Sequence, residues 1–464
     1  MSKIIIQNGN MCELDLPLKF AQKLYNEFAI RHPNAFYLRT RQRGMQNWDG
    51  KIHYITKTGQ FKIGLLPKVY DMCIEMGIKP KVVDMRQPLP KVSKVVTNIG
   101  KYKLRPEQEK AVKAVINNKI GNTPFHIGVL DYTVNAGKTL IMSSLYLSYK
   151  KQLKTLLITN DSDWLNQARE EFKQYLPGED ITFVQGKVLN WSNFTIGMVQ
   201  SISRNMRFYQ KELSQIDMVL VDEADQGGSK QYQNVITRLF NTRIRIGLSG
   251  TIYMSKLAKD KVKNMNLECF FGKVIAEFKL KDSIKKGYST KTVVKMVPGK
   301  PWYGNWESDC ISYKEIYDDS ITNCYTAWLM AYNRLLWNLN QGRYPALVVC
   351  KHIAHCENLY KFFKKKLGDA YNIAYVHVNT PSKLRQQIMK DFREGKIDIL
   401  VSTTIIARGK NFPKLKYLLN TASMDSQEKS IQFLGRLVRT DESKNKVYLD
   451  DLHYPGNYLD RHGK

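Results

Sequence analysis

The chain has 464 residues, more than one hydrophobic core ordinarily supports, so about two or three domains are expected. Hydrophobic residues make up 43% and aromatic residues 11% of the sequence, which excludes a disordered chain. The 72 lysines and arginines stand against 42 aspartates and glutamates, a formal net charge of +30. A polyanion offsets such an excess best. Nucleic acid is the first candidate, ahead of an anionic membrane surface or a protein that is merely basic.

Cysteine usage and hydropathy restrict the compartment. The seven cysteines form no C-x-x-C pair and their number is odd, which favours neither a zinc site nor a disulfide framework and suits a reducing cytoplasm. The first residues, MSKIIIQNGN, lack a long apolar run, and no segment approaches the roughly 18 apolar residues of a membrane span. We therefore expect a cytoplasmic protein without a signal peptide and without a membrane partner.

The first predicted domain, residues 1–97, is small, of α+β type and basic. In the segment 37–54, basic side chains alternate with aromatic ones, and this combination suits a phosphate backbone with bases or sugars packed on rings. The candidate nucleic-acid contacts are Arg39, Arg41, Arg43, Trp48 and Lys51. The alternative is an ordinary small domain with core rings and solvated arginines, and the two are weighted equally. Prolines at 88 and 90 predict a stiff connector after this domain.

From about Pro106 onward, short apolar strands alternate with longer stretches of helical spacing. The clearest predicted strands are Thr155–Thr159, Met218–Val221, Ile244–Leu248, Ala346–Cys350, Asn372–Val378 and Ile397–Ser402, and the clearest helices are Asp163–Tyr175 and Lys383–Arg393. Continuous apolar strands separated by helices are typical of a doubly wound parallel sheet. The pattern occurs twice, which predicts domains at 98–280 and 281–464 with a polar linker at 281–287.

A phosphate-binding loop follows the predicted strand His126–Leu130. Residues 132–139 read YTVNAGKT and lead into an apolar helical stretch, the order of a P-loop. The helix N-terminus offers N–H groups to phosphate oxygens, Lys138 neutralises the β- and γ-phosphates, and Thr139 ligates Mg²⁺. The predicted nucleotide contacts are Tyr132, Thr133, Val134, Asn135, Ala136, Gly137, Lys138 and Thr139. Tyr132 departs from the pattern, which favours a small residue there, and this leaves the path of the loop open.

An acidic pair, Asp222 and Glu223, follows the predicted strand Met218–Val221. Carboxylates at the carboxyl end of a buried strand stand where open α/β sheets bind ligands. Asp222 is the expected Mg²⁺ ligand, and Glu223 is expected to orient and deprotonate the attacking water. The alternative, a solvated acidic turn, is disfavoured by the P-loop lysine earlier in the same basic chain. Ser249-Gly250-Thr251 is a weaker signal, for a sensor of the nucleotide state.

The second predicted domain supplies cations. Gln432, Arg436 and Arg439 recur at i, i+4 and i+7, on one face of a helix, where the arginines can stabilise transition-state charge. The alternative is a basic amphipathic helix packed through its leucines.

The aromatic turn at 298–306 contains Trp302, a candidate strand-separating wedge, although rings that pack on their own domain are the favoured interpretation.

Taken in order, these segments resemble the motifs of superfamily 2 helicases over nearly all of 103–451. Gln108 matches the glutamine of the adenine-recognition segment, residues 222–225 spell DEAD, 403–411 resemble motif V and 432–439 match motif VI. The resemblance implies two tandem RecA-like α/β domains that bind ATP and Mg²⁺ between them. It also places Gly409 and Asn411 at the nucleotide and Thr403 on the nucleic acid, with Asn411 standing where an aspartate is common.

Three further segments, 47–51, 64–67 and 351–355, are similar to the phage UvsW-type branch-migration helicases. That resemblance implies a monomeric ATP-dependent DNA helicase in the host cytoplasm. It would act on forks, Holliday junctions and D- or R-loops in phage recombination, replication or repair, with proteins of those processes as partners. Three alternatives stay open: an RNA-directed ATPase, a double-strand DNA translocase that serves a nuclease, and a nucleic-acid-binding protein with a decayed ATP site.

Overall fold

The fold is seen in a computed structural model, which describes residues 2–41, 47–133, 135–149, 152–186, 188–252, 260–299, 312–404, 412–422, 440–441 and 444–454. The chain divides into two compact units, Met1–Lys279 and Leu280–Lys464. Among the helices in these ranges, none is both long enough and apolar enough to cross a bilayer.

The first unit begins with a small region of mixed helix and strand. Its elements are β1 (Lys3–Ile6), β2 (Met11–Asp15), α1 (Leu18–Glu27), β3 (Ala29–Arg31), α2 (Ala35–Arg41), β4 (Lys51–His53), β5 (Gln60–Lys62), α3 (Leu66–Glu75) and β6 (Lys81–Asp84). The main sheet has the order β5-β2-β1-β6, in which β1 and β2 are antiparallel and β1 and β6 are parallel. Alternate residues of β1 point inward, with Ile4 and Ile6 fully buried, as the period of a half-buried strand requires.

This N-terminal region shares one continuous hydrophobic core with the sheet that follows it. Gly9 sits so close to the carbonyl of Leu239 that a Cβ atom would stand 2.6 Å from that oxygen, and a Cβ atom on Gly64 would stand 2.1 Å from the carbonyl oxygen of Glu268. Beneath this contact lies Arg245, which is fully buried and donates hydrogen bonds to the backbone oxygen of Gly9 and the side-chain oxygen of Asn10. The N-terminal region is therefore packed as part of the first unit.

The rest of the first unit is a mainly parallel sheet with helices on both faces. Its elements are β7 (Asn98–Ile99), β8 (Tyr102–Lys103), α4 (Pro106–Ile116), β9 (Lys119–Ile120), β10 (Thr123–Pro124), β11 (His126–Tyr132), α5 (Lys138–Ser148), β12 (Thr155–Thr159), α6 (Ser162–Tyr175), β13 (Ile181–Gln185), β14 (Val188–Leu189), β15 (Phe194–Met198), α7 (Val199–Arg204), α8 (Gln210–Ser214), β16 (Met218–Asp222), α9 (Lys230–Ile236), β17 (Ile244–Ser249), α10 (Lys261–Phe271) and β18 (Val274–Phe278). The main sheet has the order β14-β13-β15-β12-β16-β17-β11-β18, and within this sheet as described only the β13–β14 pair is antiparallel. The central strands are buried along their whole length, which confirms the interpretation of continuous apolar runs.

The second unit is a smaller sheet built on the same plan. Its elements are α11 (Leu280–Lys285), β19 (Lys291–Pro298), α12 (Tyr313–Tyr317), α13 (Tyr325–Asn340), β20 (Ala346–Cys350), α14 (Ile353–Leu367), β21 (Ile373–Val376), α15 (Ser382–Glu394), β22 (Ile399–Thr403), β23 (Tyr417–Asn420) and β24 (Lys446–His453). All pairs in the order β19-β24-β23-β20-β22-β21 are parallel. Two parallel-sheet domains preceded by a small α+β region confirm the predicted fold class.

Most of the predicted polar linker at 281–287 is helix α11. Leu280, Ser283 and Ile284 recur at i, i+3 and i+4, and this spacing gives a short helix an inward face despite its polar composition. Ser283 is fully buried, and its hydroxyl shares a 2.7 Å hydrogen bond with that of Ser289. The division between the two compact units falls just before this helix.

Candidate active site

Three neighbouring parallel strands end together at the carboxyl edge of the first sheet. Asp222 is the last residue of β16, Ser249 is the last residue of β17, and β11 leads through the loop at 133–137 into Lys138, the first residue of α5. The ammonium nitrogen of Lys138 lies 3.9 Å from a carboxylate oxygen of Asp222. Two residues 84 positions apart in the sequence thus meet where an α/β sheet binds its ligand.

The phosphate loop has the backbone conformation that a close approach to phosphate requires. Gly137 has φ +72°, and a Cβ atom on it would stand 2.3 Å from the side-chain nitrogen of Gln108. Asn135 also has positive φ, at 67°, which is uncommon for a residue other than glycine and tends to occur at functional sites. The helix α5 follows directly, so its free N–H groups face the end of this loop.

The side chain of Gln108 holds the phosphate loop by hydrogen bonds. Its amide nitrogen donates a 2.8 Å hydrogen bond to the carbonyl of Ala136, and its amide oxygen accepts a 2.8 Å bond from the backbone of Arg105. The guanidinium of Arg105, a residue that the sequence-based prediction did not single out, donates to the carbonyl of Asn135 at 3.4 Å. The segment predicted to recognise adenine thus also sets the path of the phosphate loop.

Tyr132, the departure from the P-loop pattern, ends strand β11 with its side chain in the core. The residue is fully buried, its hydroxyl donates a 2.8 Å hydrogen bond to the carbonyl of Glu107, and its ring packs against Phe278. Thr133 continues the sheet by donating its N–H to the carbonyl of Phe278 at 3.0 Å. The bulk of the tyrosine is therefore accommodated between β11, α4 and β18, and the loop proper begins after it.

The electrostatics of the Lys138–Asp222 pair favour a bound cation. Burial raises the pKa of Asp222 to about 7, against the lowering effect of Lys138. Burial works against the charge of Lys138, but the carboxylates of Glu223 and Asp222 together raise its pKa. Asp222 is 4% exposed, and the carboxylate oxygen that faces Lys138 accepts no hydrogen bond within the described part of the chain. A buried, unsatisfied carboxylate oxygen beside a phosphate loop suits a hard divalent cation such as Mg²⁺.

In the acidic loop, Glu223 has a strained backbone conformation and Asp225 is held by a hydrogen bond. Glu223 has φ 51° and ψ 52°, a left-handed conformation that costs a non-glycine residue about 1 kcal/mol or more. Asp225 accepts a 2.9 Å hydrogen bond from the hydroxyl of Ser249, and that hydroxyl also accepts a 3.1 Å bond from the backbone of Thr251. The DEAD segment and the Ser-Gly-Thr segment therefore form one network in the first unit.

Two charged residues near the loop were missed at the sequence level. Asp131 lies in β11 just before Tyr132 and pairs with Lys279, and it is one of the carboxylates that raise the pKa of Lys138. An acidic residue inside an otherwise apolar strand, directly before a phosphate loop, was the available signal.

The candidate nucleic-acid residues of the N-terminal region fall into two groups. Arg39 and Arg41 are exposed on α2, and Arg39 and Lys51 line an open cavity of about 670 Å³ together with Arg31 and Phe36. Trp48 is half-buried, and its indole N–H donates to the carbonyl of Lys51 at 2.9 Å while its ring meets the edge of His32. Trp48 thus serves a local turn, whereas the cations are free to face a ligand.

In the second unit, Thr403 is buried at the carboxyl end of β22. Eight of the predicted site residues lie outside the described residues: Arg43, Val134, Trp302, Gly409, Asn411, Gln432, Arg436 and Arg439.

Two family models match the chain in the order of the two sheets. The model of the type III restriction enzyme res subunit matches residues 101–254, and that of the helicase conserved C-terminal domain matches residues 329–441. A candidate helicase of Sulfolobus islandicus filamentous virus is 22% identical over 76% of this chain and 64% of its own length. A candidate ATP-dependent helicase of Saccharomyces cerevisiae, IRC3, is 23% identical over 75% and 51%. The ATP-dependent RNA helicase RhlB of Shewanella woodyi is 32% identical over 23% and 24%.

Solved structures of restriction enzymes show the same fold. The restriction-modification enzyme LlaBIII bound to DNA matches 84% of this chain and 32% of its own, with 13% identity and a TM-score of 0.58. UvsW of phage T4 matches 100% of this chain and 95% of its own, with 20% identity and a TM-score of 0.47. The chain spans about 64% and 51% of the first two curated relatives. The two family models, matched in tandem, support a superfamily 2 helicase.

Proposed function

We propose that this protein is an ATP-driven helicase or translocase that acts on branched DNA. The observation that carries the proposal is the meeting of Lys138 and Asp222 at 3.9 Å, with one carboxylate oxygen left without a hydrogen bond. Phosphoryl transfer depends chiefly on positioning and charge neutralisation, and a lysine, a metal-binding carboxylate and a helix N-terminus supply both.

Each residue of the site has a defined task in this proposal. The first N–H groups of α5 and the ammonium group of Lys138 hold the phosphates, and Thr139 and Asp222 hold Mg²⁺. The metal, when bound, neutralises the charge that develops on the transferred group. Glu223 orients the attacking water and accepts its proton. Gln432, Arg436 and Arg439 keep the roles that their motif predicts, with the two arginines stabilising negative charge.

The polyanion partner is supported by charge and by the packing of the N-terminal region. The chain has a net charge of +30, and Arg39, Arg41 and Lys51 are exposed on a region that shares its core with the nucleotide-binding sheet. A nucleic-acid strand bound to these cations would move with the phosphate loop, because the cations and the loop belong to one packed unit. Nucleotide-dependent motion then requires only that the two ligands prefer different arrangements of the motor.

DNA is favoured over RNA by the resemblance to UvsW-type helicases and by structural neighbours named as restriction enzymes. The short match to RhlB, which is named as an RNA helicase, is the specific reason to retain an RNA-directed ATPase as the second candidate. Branched substrates are favoured by the same UvsW-type resemblance.

ATP hydrolysis measured with four polyanions of equal nucleotide content tests the proposal: a four-way junction, a fork, single-stranded DNA and single-stranded RNA. We expect the branched DNAs to stimulate most and Lys138→Ala to remain at background with all four. Stronger stimulation by RNA would reverse the choice of substrate. Hydrolysis that persists in Lys138→Ala would refute the assignment of the ATP site.

A further inference from the structure

The second unit has a strongly basic edge away from its predicted motifs. Its parallel strands begin together, because Ala346, Ile399 and Tyr417 are register partners across β20, β22 and β23. At the far side, Lys291 and Lys446 are partners at the starts of β19 and β24. Motif V begins at the opposite, carboxyl edge, so this amino edge lies outside the segments assigned to ATP.

Cations collect along this edge from the strand starts and from the turns that precede them. We call this set the amino-edge rim: Lys291, Arg343, Lys364, Lys365, Lys366, Lys396, Lys414, Lys416 and Lys446. All are exposed except Arg343 and Lys416, which are half-buried. Three consecutive lysines of the rim lie in the last turn of helix α14, which runs back toward this edge of the sheet.

Few carboxylates neutralise the rim. Lys364 pairs with Asp369 at 2.8 Å, and Lys396 pairs with Glu394 at 2.6 Å and with Asp391 at 3.7 Å. Within the described ranges, no ion pair involves Lys291, Lys365, Lys366, Lys416 or Lys446. Unneutralised like charges in neighbouring strands repel each other, and an anionic partner removes that repulsion.

The arginine of the rim is held rigidly. The guanidinium of Arg343 lies 3.5 Å from the centre of the Tyr448 ring and 4.8 Å from that of Trp337, and it donates a 2.9 Å hydrogen bond to Asn338. Arg334 approaches the same tryptophan at 5.3 Å. A cation fixed by rings and by a neutral amide loses little conformational entropy when it contacts a phosphate.

These features favour a duplex over a single strand as the partner. Trp337 and Tyr448 are already in contact with guanidinium groups, so base stacking, which single-strand binders use, competes with those contacts. Lysines act as point charges toward phosphates and need no unpaired base. Six strands at about 4.8 Å spacing give an edge of about 24 Å, the length of about seven base pairs.

We propose that the amino-edge rim binds the phosphate backbone of a nucleic-acid duplex, such as one arm of a branched substrate. The inference rests on the proposed nucleic-acid substrate but not on ATP hydrolysis. A rim variant carries Lys365→Gln, Lys416→Gln and Lys446→Gln. A matched control with the same loss of net charge carries Lys103→Gln, Lys110→Gln and Lys211→Gln, at exposed lysines of the first unit.

Fluorescence anisotropy without nucleotide measures the affinity of the full chain for a labelled 20-base-pair duplex between 50 and 200 mM salt. The rim variant is expected to bind about 10- to 100-fold more weakly, with a slope of log affinity against log salt shallower by about 2 to 3, since each lost phosphate contact removes about 0.9. The control variant is expected to keep most of the affinity. Equal losses in the two variants would overturn the proposal.

Two further readouts separate the alternatives. If poly-L-glutamate competes with the duplex at equal charge concentration and the rim substitutions weaken both equally, the rim is a site for acidic protein and the nucleic-acid assignment is wrong. Hydrolysis stimulated by short single-stranded DNA is expected to stay within about twofold of wild type in the rim variant, because its residues lie outside the ATP site. If wild type shows no hydrolysis, the proposed function fails while the binding result still decides the rim.

Discussion

Replacing Arg245 with methionine tests whether the N-terminal region is fixed to the nucleotide-binding sheet. Arg245 is the second residue of β17 and is fully buried. It donates to the carbonyls of Phe270 at 3.2 Å and Gly9 at 2.6 Å and to the side chain of Asn10 at 2.8 Å. Burial lowers its pKa to about 9, so it is still charged at neutral pH. Methionine has a long, flexible side chain that fills much of the same space, but it cannot donate a hydrogen bond.

The expected magnitude follows from the groups left behind. Three buried acceptors lose a charged donor, at about 1–3 kcal/mol each. Removing a guanidinium that costs several kcal/mol to bury offsets part of that loss. We expect a net destabilisation of about 2–4 kcal/mol, confined to the junction of the N-terminal region with β17.

Hydrogen exchange followed by mass spectrometry reports this junction directly. Amides of β1 and β2 are expected to exchange about 30- to 1,000-fold faster in Arg245→Met, since each 1.4 kcal/mol is a factor of ten. Strand β22 in the second unit serves as internal reference, and Arg238→Met, at an exposed position nearby, serves as the control. Unchanged exchange in β1 and β2 would show that the arginine does not hold the region.

Four other outcomes are expected. Lys138→Ala removes nucleic-acid-stimulated ATP hydrolysis, and turnover near the wild-type rate would defeat the assignment of the P-loop. Arg436→Ala keeps ATP binding but slows turnover by about 1,000-fold or more in a steady-state assay, as for other arginine fingers, and an unchanged rate would exclude that role. Tyr132→Gly restores the P-loop pattern yet lowers the free energy of unfolding by about 3–5 kcal/mol, because the ring is fully buried; a variant as stable as wild type in urea would contradict the packing described. Burial lowers the pKa of His355 to about 3, whereas the unfolded chain protonates it near 6.5. The second unit should therefore lose about 1.4 kcal/mol of stability per pH unit as the pH falls below 6.5, and urea titrations at several pH values should show no such slope from this residue in His355→Gln.

The sequence predicted the repeated α/β pattern well and one of its details poorly. Strands β12 and β20 begin and end at the predicted residues, since runs of branched apolar residues specify a buried parallel strand locally. The predicted strand Asn372–Val378 is shorter, from Ile373 to Val376, and Val378 is 60% exposed. The linker was predicted beside the division of the two units, but the helix α11 within it was not predicted, because polar composition conceals a helical spacing of only three inward residues.

The candidate site was predictable to the level of its motifs and not of its contacts. Lys138, Asp222 and Glu223 were found because phosphate chemistry demands those residue types at strand ends. The brace by Gln108 and Arg105 and the pairing of Asp131 with Lys279 escaped prediction, since each joins segments that are distant in the chain.

By itself the sequence determined the two-sheet plan and predicted the helicase resemblance and the residues offered to a triphosphate, because these depend on residue type and on short-range spacing. Tertiary structure alone decided how Tyr132 is accommodated and why a buried cation stands near the start of β17. Arg245 interrupts an apolar run for no local reason, and its partner Gly9 lies 236 positions away. A hydrogen bond between such distant residues forms only when the N-terminal sheet packs on the main sheet. The local sequence around Arg245 cannot predict it, because that sequence does not show which distant backbone carbonyl will be buried and need a donor.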